Sequence, residues 1–166
     1  MQRFSAVLSG TSDRFSYQGN VGRTNGDGYR QYSKQQLTNG YLRAATRAKG
    51  TEFALQLLGL DMPVADNPGA LTRAQLDANA RLADSASMRK IARKTVRQLQ
   101  LGLSAQRPFS TTAGSGEVSA QVYGGTRSLY NPLTFAVVGV DRSLSGGGAR
   151  ATVPVMLGLR NRLSVG

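Results

Sequence analysis

From Thr72 to Leu101 the chain runs thirty positions, 72–101, without a glycine or a proline, the two residues that most readily break regular structure. The stretch is rich in Ala, Leu, Arg and Gln, all good helix formers, so it reads as one long helix with Thr72 at its start. Asp66 and Asp77 lie toward the end where the helix dipole favours anions, and the cations gather toward the other end. "ADSAS", 83–87, is the segment where such a helix bends or splits. On a wheel of 100 degrees per residue, Met88, Ile91, Ala92, Thr95, Val96 and Leu99 share one arc, and Arg89, Lys90, Arg93, Lys94 and Arg97 the opposite one. The expectation is an amphipathic helix that buries one side and presents a basic other side.

Upstream, Phe4–Leu8 and Phe15–Tyr17 read as strand pieces separated by turn residues, and Asn25-Gly26-Asp27-Gly28 is the strongest turn signal. "SKQQ" from Ser33 fits a helix capping box, with Leu37, Tyr41, Ala44, Ala45 and Ala48 at helical spacing and Gly50 as the stop. "TEFALQLLGL", 51–60, is core by composition, with a period that fits strand or helix. Pro63–Gly69 reads as a connector. After Gly102, β-favouring pieces at 118–123, 133–140 and 151–157 alternate with glycine. Gly146-Gly147-Gly148 reads as a loop tip, and Pro154 suggests an edge strand. The predicted fold is α+β: a β-α module over 1–60, a connector with a long basic helix over 61–106, and an extended Gly-rich segment over 107–166.

The charge restricts function more than the pattern does. A formal net charge of +12 demands an anionic partner, and the excess is +5, +4 and +3 over 1–60, 61–110 and 111–166, so it belongs to the body of the protein. With no Cys and no His, disulfides, thiolate and imidazole metal sites and histidine-based acid–base schemes are excluded. The nine acids are scattered singly; Asp61 and Asp66 beside Pro63 suit turn and capping bonds better than a metal. "SGGGAR" lacks the strand-to-helix context of a phosphate loop. The reading is therefore a chain that is not an enzyme and carries no cofactor. No apolar run reaches the roughly 18 residues of a spanning helix, so the expectation is a soluble or peripheral protein with no membrane span.

Over residues 3–57, "RFSAVLSG", "YRQYSKQQLTNGYLRAATRAKG" and "TEFALQL" follow the order of a Phe-containing strand ending in Gly, a Tyr-Ser helix and an apolar strand. In this the chain resembles the basic linker polypeptides of phycobilisomes, in particular their small rod-capping linker domain. The resemblance implies a colourless, partly extended protein threaded through acidic antenna rings at the thylakoid, with no bilin attached because there is no Cys. In that reading Arg43, Arg47, Arg89, Lys90, Arg93, Lys94 and Arg97 make ionic contacts to acidic subunits, and Phe4, Phe53, Phe109 and Tyr130 are apolar anchors. The alternative is a structural nucleic-acid-binding protein of virion or chromatin type, with the same cations on phosphates and tyrosines such as Tyr29, Tyr41 and Tyr123 stacking on bases.

Overall fold

The computed structural model describes residues 1–157 and 159–166, with side chains described outside 156–160. Alternation of period two, not 3.6, dominates it. Eight strands follow one another as β1 (Gln2–Thr11), β2 (Phe15–Gly26), β3 (Gln35–Ala48), β4 (Thr51–Ala65), β5 (Thr95–Thr111), β6 (Gly114–Pro132), β7 (Val137–Leu157) and β8 (Leu159–Val165). They pair in chain order in a single sheet, every neighbouring pair antiparallel. Seven of them are 10 to 21 residues long, against about 5–6 for a typical strand. The sheet runs unbroken across residues 60/61 and 106/107, inside β4 and β5.

The α+β expectation with a long helix is overturned. Within 72–101 only α1 (Arg73–Ala78) and α2 (Ser85–Arg89) are helical, and from Thr95 the chain is β5. Helix propensity is worth only tenths of a kcal/mol per residue, and in "VRQLQLGLSAQ" an alternation of Gln, Gly or Ser with Leu or Ala pairs along two neighbouring strands and wins. The helical arc dissolves with it, because Arg97 and Leu99 now project from the same side of β5. Thr72 does start a helix, with a complete capping box to Gln75, and Asp84 caps the second. The helix expected from Ser33 is β3. Ser33 instead donates its hydroxyl to the carbonyls of Asp27 and Arg30, and Lys49-Gly50, with φ of +49 and +77, forms the two-residue hairpin between β3 and β4. Gly146-Gly147-Gly148 lies within β7, and Pro154 lies beyond the last β6 pair, Glu117 with Thr152, so that β7 is paired there only with Arg162 of β8. The strand pieces 4–8, 15–17, 118–123 and 151–157 fall inside strands, and Asn25–Gly28 ends β2 with Gly28 at φ +74.

The two ends of the sheet differ. At one, β1–β2, β3–β4 and β5–β6 turn through Ser12–Arg14, Lys49–Gly50 and Thr112–Ala113; at the other lie the connections 27–34, 66–94 and 133–136. The two longer ones dock on each other. Arg30 donates Nε to the carbonyl of Leu82 at 2.9 Å, Nη1 to that of Gly69 at 2.7 Å and Nη2 to that of Pro68 at 3.2 Å. The Gln31 amide donates to the Arg81 carbonyl. Ser87, Ala83 and Ala92 are buried there.

Candidate functional site

Among the described residues the buried apolar side chains are Ala45, Ala54, Ala83, Ala92, Val96, Pro132 and Pro154, with no large aliphatic or aromatic residue among them. The accessible surface is 11778 Å², whereas a compact monomer of 17.6 kDa exposes about 7,900 Å² by the usual size scaling. A single sheet layer with no second layer against it accounts for the excess.

Register sorts the side chains cleanly. One face carries Phe4, Ala6 and Leu8 of β1; Phe15, Tyr17 and Val21 of β2; Leu42 and Ala44 of β3; Phe53, Leu55 and Leu57 of β4; Leu99, Leu101 and Leu103 of β5; Val118, Ala120 and Val122 of β6; Ala149, Ala151 and Val153 of β7; and Leu163 and Val165 of β8. The other carries Ser5, Gln18, Asn20, Asn39, Arg43, Glu52, Gln56, Gln98, Gln100, Ser104, Gln106, Glu117, Gln121, Arg127, Arg142 and Arg150, with Val7, Leu58, Leu60 and Tyr123 among them. Along β5 burial runs opposite to that of a water-soluble sheet. On β5, Leu99, Leu101 and Leu103 are 53%, 47% and 51% exposed, while Gln98, Gln100 and Ser104 between them are half-buried. Water-soluble sheets alternate the other way, apolar in and polar out.

The apolar face has margins. Phe15, Phe53 and Phe109 stand toward the short-turn end, with Tyr17 tilted against Phe15 at 6.0 Å between ring centroids. Toward the long connections, successive register partners Arg23, Thr38, Asp61, Arg97, Ser128 and Asp141 form a polar row across β2 to β7. Phe4 and Tyr130 lie at that margin. Arg97 Nε and Asp61 Oδ1 pair at 3.2 Å within the row, both solvated.

The residues expected to bind partners thus separate into three places. The four aromatic anchors Phe4, Phe53, Phe109 and Tyr130 share the apolar face, at its two margins. Arg43 and Arg47 are on the polar face, held to Glu52 at 2.7 and 3.5 Å. Arg89 ends α2 and Lys90 caps it. Arg93 reaches Asp66 at 2.9 Å, the carboxylate being 6% exposed, and Lys94 precedes β5, its backbone exchanging hydrogen bonds with Ala65. Arg97 alone of the five lies in the sheet. Asp61 and Asp66 serve in ion pairs. Asp84 accepts from the backbone amide and hydroxyl of Ser87 at 2.8 and 3.0 Å, bonds that hold its carboxyl below the ordinary range. Sequence reasoning passed over Arg30, which ties the connections together, and the opposed Arg127 and Arg142. The signal for the faces was present in the period-two run Gln98–Gln106.

No helix among the described residues is long and apolar enough to cross a membrane, a statement that does not bear on strands. No protein-family model and no curated protein matches the chain.

Proposed function

We propose that this sheet is part of the wall of a transmembrane β-barrel, its Phe, Leu and Val face turned to lipid and its Gln, Ser and Arg face to an aqueous interior. The observation that carries the reading is an apolar face left exposed across the sheet, with burial inverted along β5, where the leucines are open and Gln98, Gln100 and Ser104 half-buried. A membrane barrel alternates apolar-out and polar-in, keeps short turns at one end and longer loops at the other, and flanks its apolar band with aromatics. The two-faced alternation, the short turns at one end, the longer connections at the other and the aromatics at the margins of the apolar face support the reading. A strand crosses with about 9–11 residues, so the absence of a long apolar run does not weigh against it.

The band also has the right slope and height. Tracing register from Leu8 through Gly19, Leu42, Leu57, Leu101 and Gly124 arrives at Ser145 on β7. The apolar stretch begins at Phe4 on β1, in register with Arg23 and above that line, but at Ala149 on β7, below it. The boundary therefore slips about eight residues, or about 26 Å, over six strand spacings of about 4.8 Å, a slope of about 40° that matches barrel strand tilt. On β5 the charged limits Arg97 and Arg107 are about 33 Å apart along the strand. Inclined by that angle they span about 25 Å of height, the thickness of the lipid-facing band. β1 and β8 run in opposite directions and each is paired on one side only, so a barrel closing along those edges stays antiparallel throughout. Closure is required, since unpaired backbone groups are not tolerated in hydrocarbon.

Single cysteines placed at 98–106 in this Cys-free chain, spin-labelled and reconstituted in phospholipid vesicles, test the proposal. Positions 99, 101 and 103 are expected to be relaxed by oxygen dissolved in lipid and 98, 100 and 104 by a water-soluble nickel chelate. Loss of that alternation overturns it. A second reading draws on the charge of +12 and on the cations of the connections: a non-catalytic assembly protein for acidic subunits, as the linker resemblance implies, with partners covering the apolar face. Salt-resistant co-purification of stoichiometric acidic proteins supports that reading, and nucleic acid released steeply by salt supports the nucleic-acid alternative.

A further inference from the structure

Arg127 on β6 and Arg142 on β7 are direct register partners, and both project from the polar face. Like charges directly opposite one another repel. Nothing on that face relieves them. Among the described residues neither guanidinium has an ion-pair or hydrogen-bond partner. The flanking positions of the same face are Gly125 with Leu144 on one side and Leu129 with Val140 on the other. Asp141, next in sequence, belongs to the opposite face. Glu117 lies about 33 Å down β6 at strand rise and accepts instead from Gln106 Nε2 at 2.6 Å. On β5 the register partner of Arg127 is Gln98, whose side-chain amide extends the same row.

We infer that Arg127 and Arg142, with Gln98 beside them, form a binding site for a phosphate-type dianion on the polar face. Two guanidinium forks across one strand spacing meet a tetrahedral oxyanion from two sides with charge-assisted bonds, and the half-buried setting of Arg127 strengthens them. Arg150 and Arg162 on the same face extend the positive potential along the sheet toward the short-turn end, Arg150 donating to Ser164 Oγ at 3.3 Å. The site rests on register and charge alone and stands whether or not the other face meets lipid.

Inorganic phosphate titrated into the full chain at fixed ionic strength, followed by calorimetry and by the arginine Nε–H resonances, tests it. Phosphate is expected to bind at least tenfold more tightly than chloride and to shift the Arg127 and Arg142 resonances. Arg127→Gln and Arg142→Gln are each expected to weaken it at least tenfold, and Arg97→Gln, on the opposite face, to leave it within twofold. Arg127→Lys keeps the charge without the fork and is expected to fall between, which supplies a readout should a glutamine variant not fold. Phosphate binding no stronger than chloride, or equal losses in Arg97→Gln and Arg142→Gln, overturns the site. Either result leaves the lipid-facing alternation of β5 to be decided by its own measurement.

Discussion

Leu101 is the position at which lipid and water make opposite demands. It sits mid-strand on β5, in register with Leu57 on one side and Gly124 on the other, about 13 Å along the strand from Arg97 and about 20 Å from Arg107. It is 47% exposed. In water, replacing so open a residue by arginine changes stability by no more than about 0.5 kcal/mol. Facing the hydrocarbon midplane, the same change costs about 2–4 kcal/mol, a shift of roughly 30- to 1,000-fold in the folding equilibrium. The assay is urea unfolding of vesicle-reconstituted protein followed by far-UV circular dichroism, with Leu101→Arg, Leu99→Arg and Gln100→Arg compared at equal lipid. Leu101→Arg is expected to lose the full amount. Leu99→Arg, one row from the polar margin, loses less, and Gln100→Arg stays within about 0.5 kcal/mol because its side chain meets water. Equal, small effects at all three positions refute the lipid-facing assignment. A large loss at Gln100 with none at Leu101 reverses the faces.

Arg30→Met removes the three bonds to Pro68, Gly69 and Leu82 and is expected to cost about 2–3 kcal/mol locally, read as faster amide exchange at Asp84 and Ala92 while the sheet amides stay protected. Arg93→Ala strands the nearly buried Asp66 carboxylate and is expected to destabilise by about 1–3 kcal/mol, whereas Arg97→Ala, whose pair is solvated, changes stability by less than about 1 kcal/mol in denaturant titrations without lipid. The Asp84 carboxyl is held below the ordinary aspartate value of 3.8 by the Ser87 bonds. Its cap is therefore complete above that pH and is lost as pH falls through the depressed value, to be seen as a rise in Ser87 amide exchange that Asp84→Asn shows at every pH. A Cβ at Gly125 comes 2.5 Å from the Leu99 carbonyl, while at Gly59 it meets nothing within 4 Å. Gly125→Ala is expected to cost about 1–3 kcal/mol and Gly59→Ala to be neutral or mildly stabilising, by thermal melts.

Strands were legible where β-branched or aromatic residues sat between turn residues, as at Phe4–Leu8, Phe15–Tyr17 and Val118–Tyr123. They were hidden where helix formers filled them. Leu, Gln, Arg and Ala make up most of Arg97–Gln106 and Leu42–Ala48, and apart from Gly102 nothing local in those residues opposes a helix. What decides against one is pairing with another strand, since Leu101 meets Leu57 and Arg43 meets Gln56 only once the strands are side by side. Glycine misled in the same manner: Gly146-Gly147-Gly148 signals a loop by composition, yet its glycines face Tyr123, Val122 and Gln121 across the pair, where a Cβ at Gly146 comes 2.5 Å from the Tyr123 hydroxyl. The four aromatic anchors were legible as contact residues. That they share one face required the register.

The strict neighbour-to-neighbour order of the strands also sets how the sheet can be assembled in time. Each hairpin is a local event, and no strand waits for one further along the chain, so the sheet can zip up progressively from its first turn. The exception is the closure of β4 on β5 across residues 66–94. Relative to a two-residue turn this loop is nearly four doublings longer, an added closure cost of about 2.3 kcal/mol at about 0.6 per doubling. In the finished fold Arg30 binds Pro68, Gly69 and Leu82 to the β2–β3 connection, so the loop whose closure costs most is also the one tied down by a guanidinium.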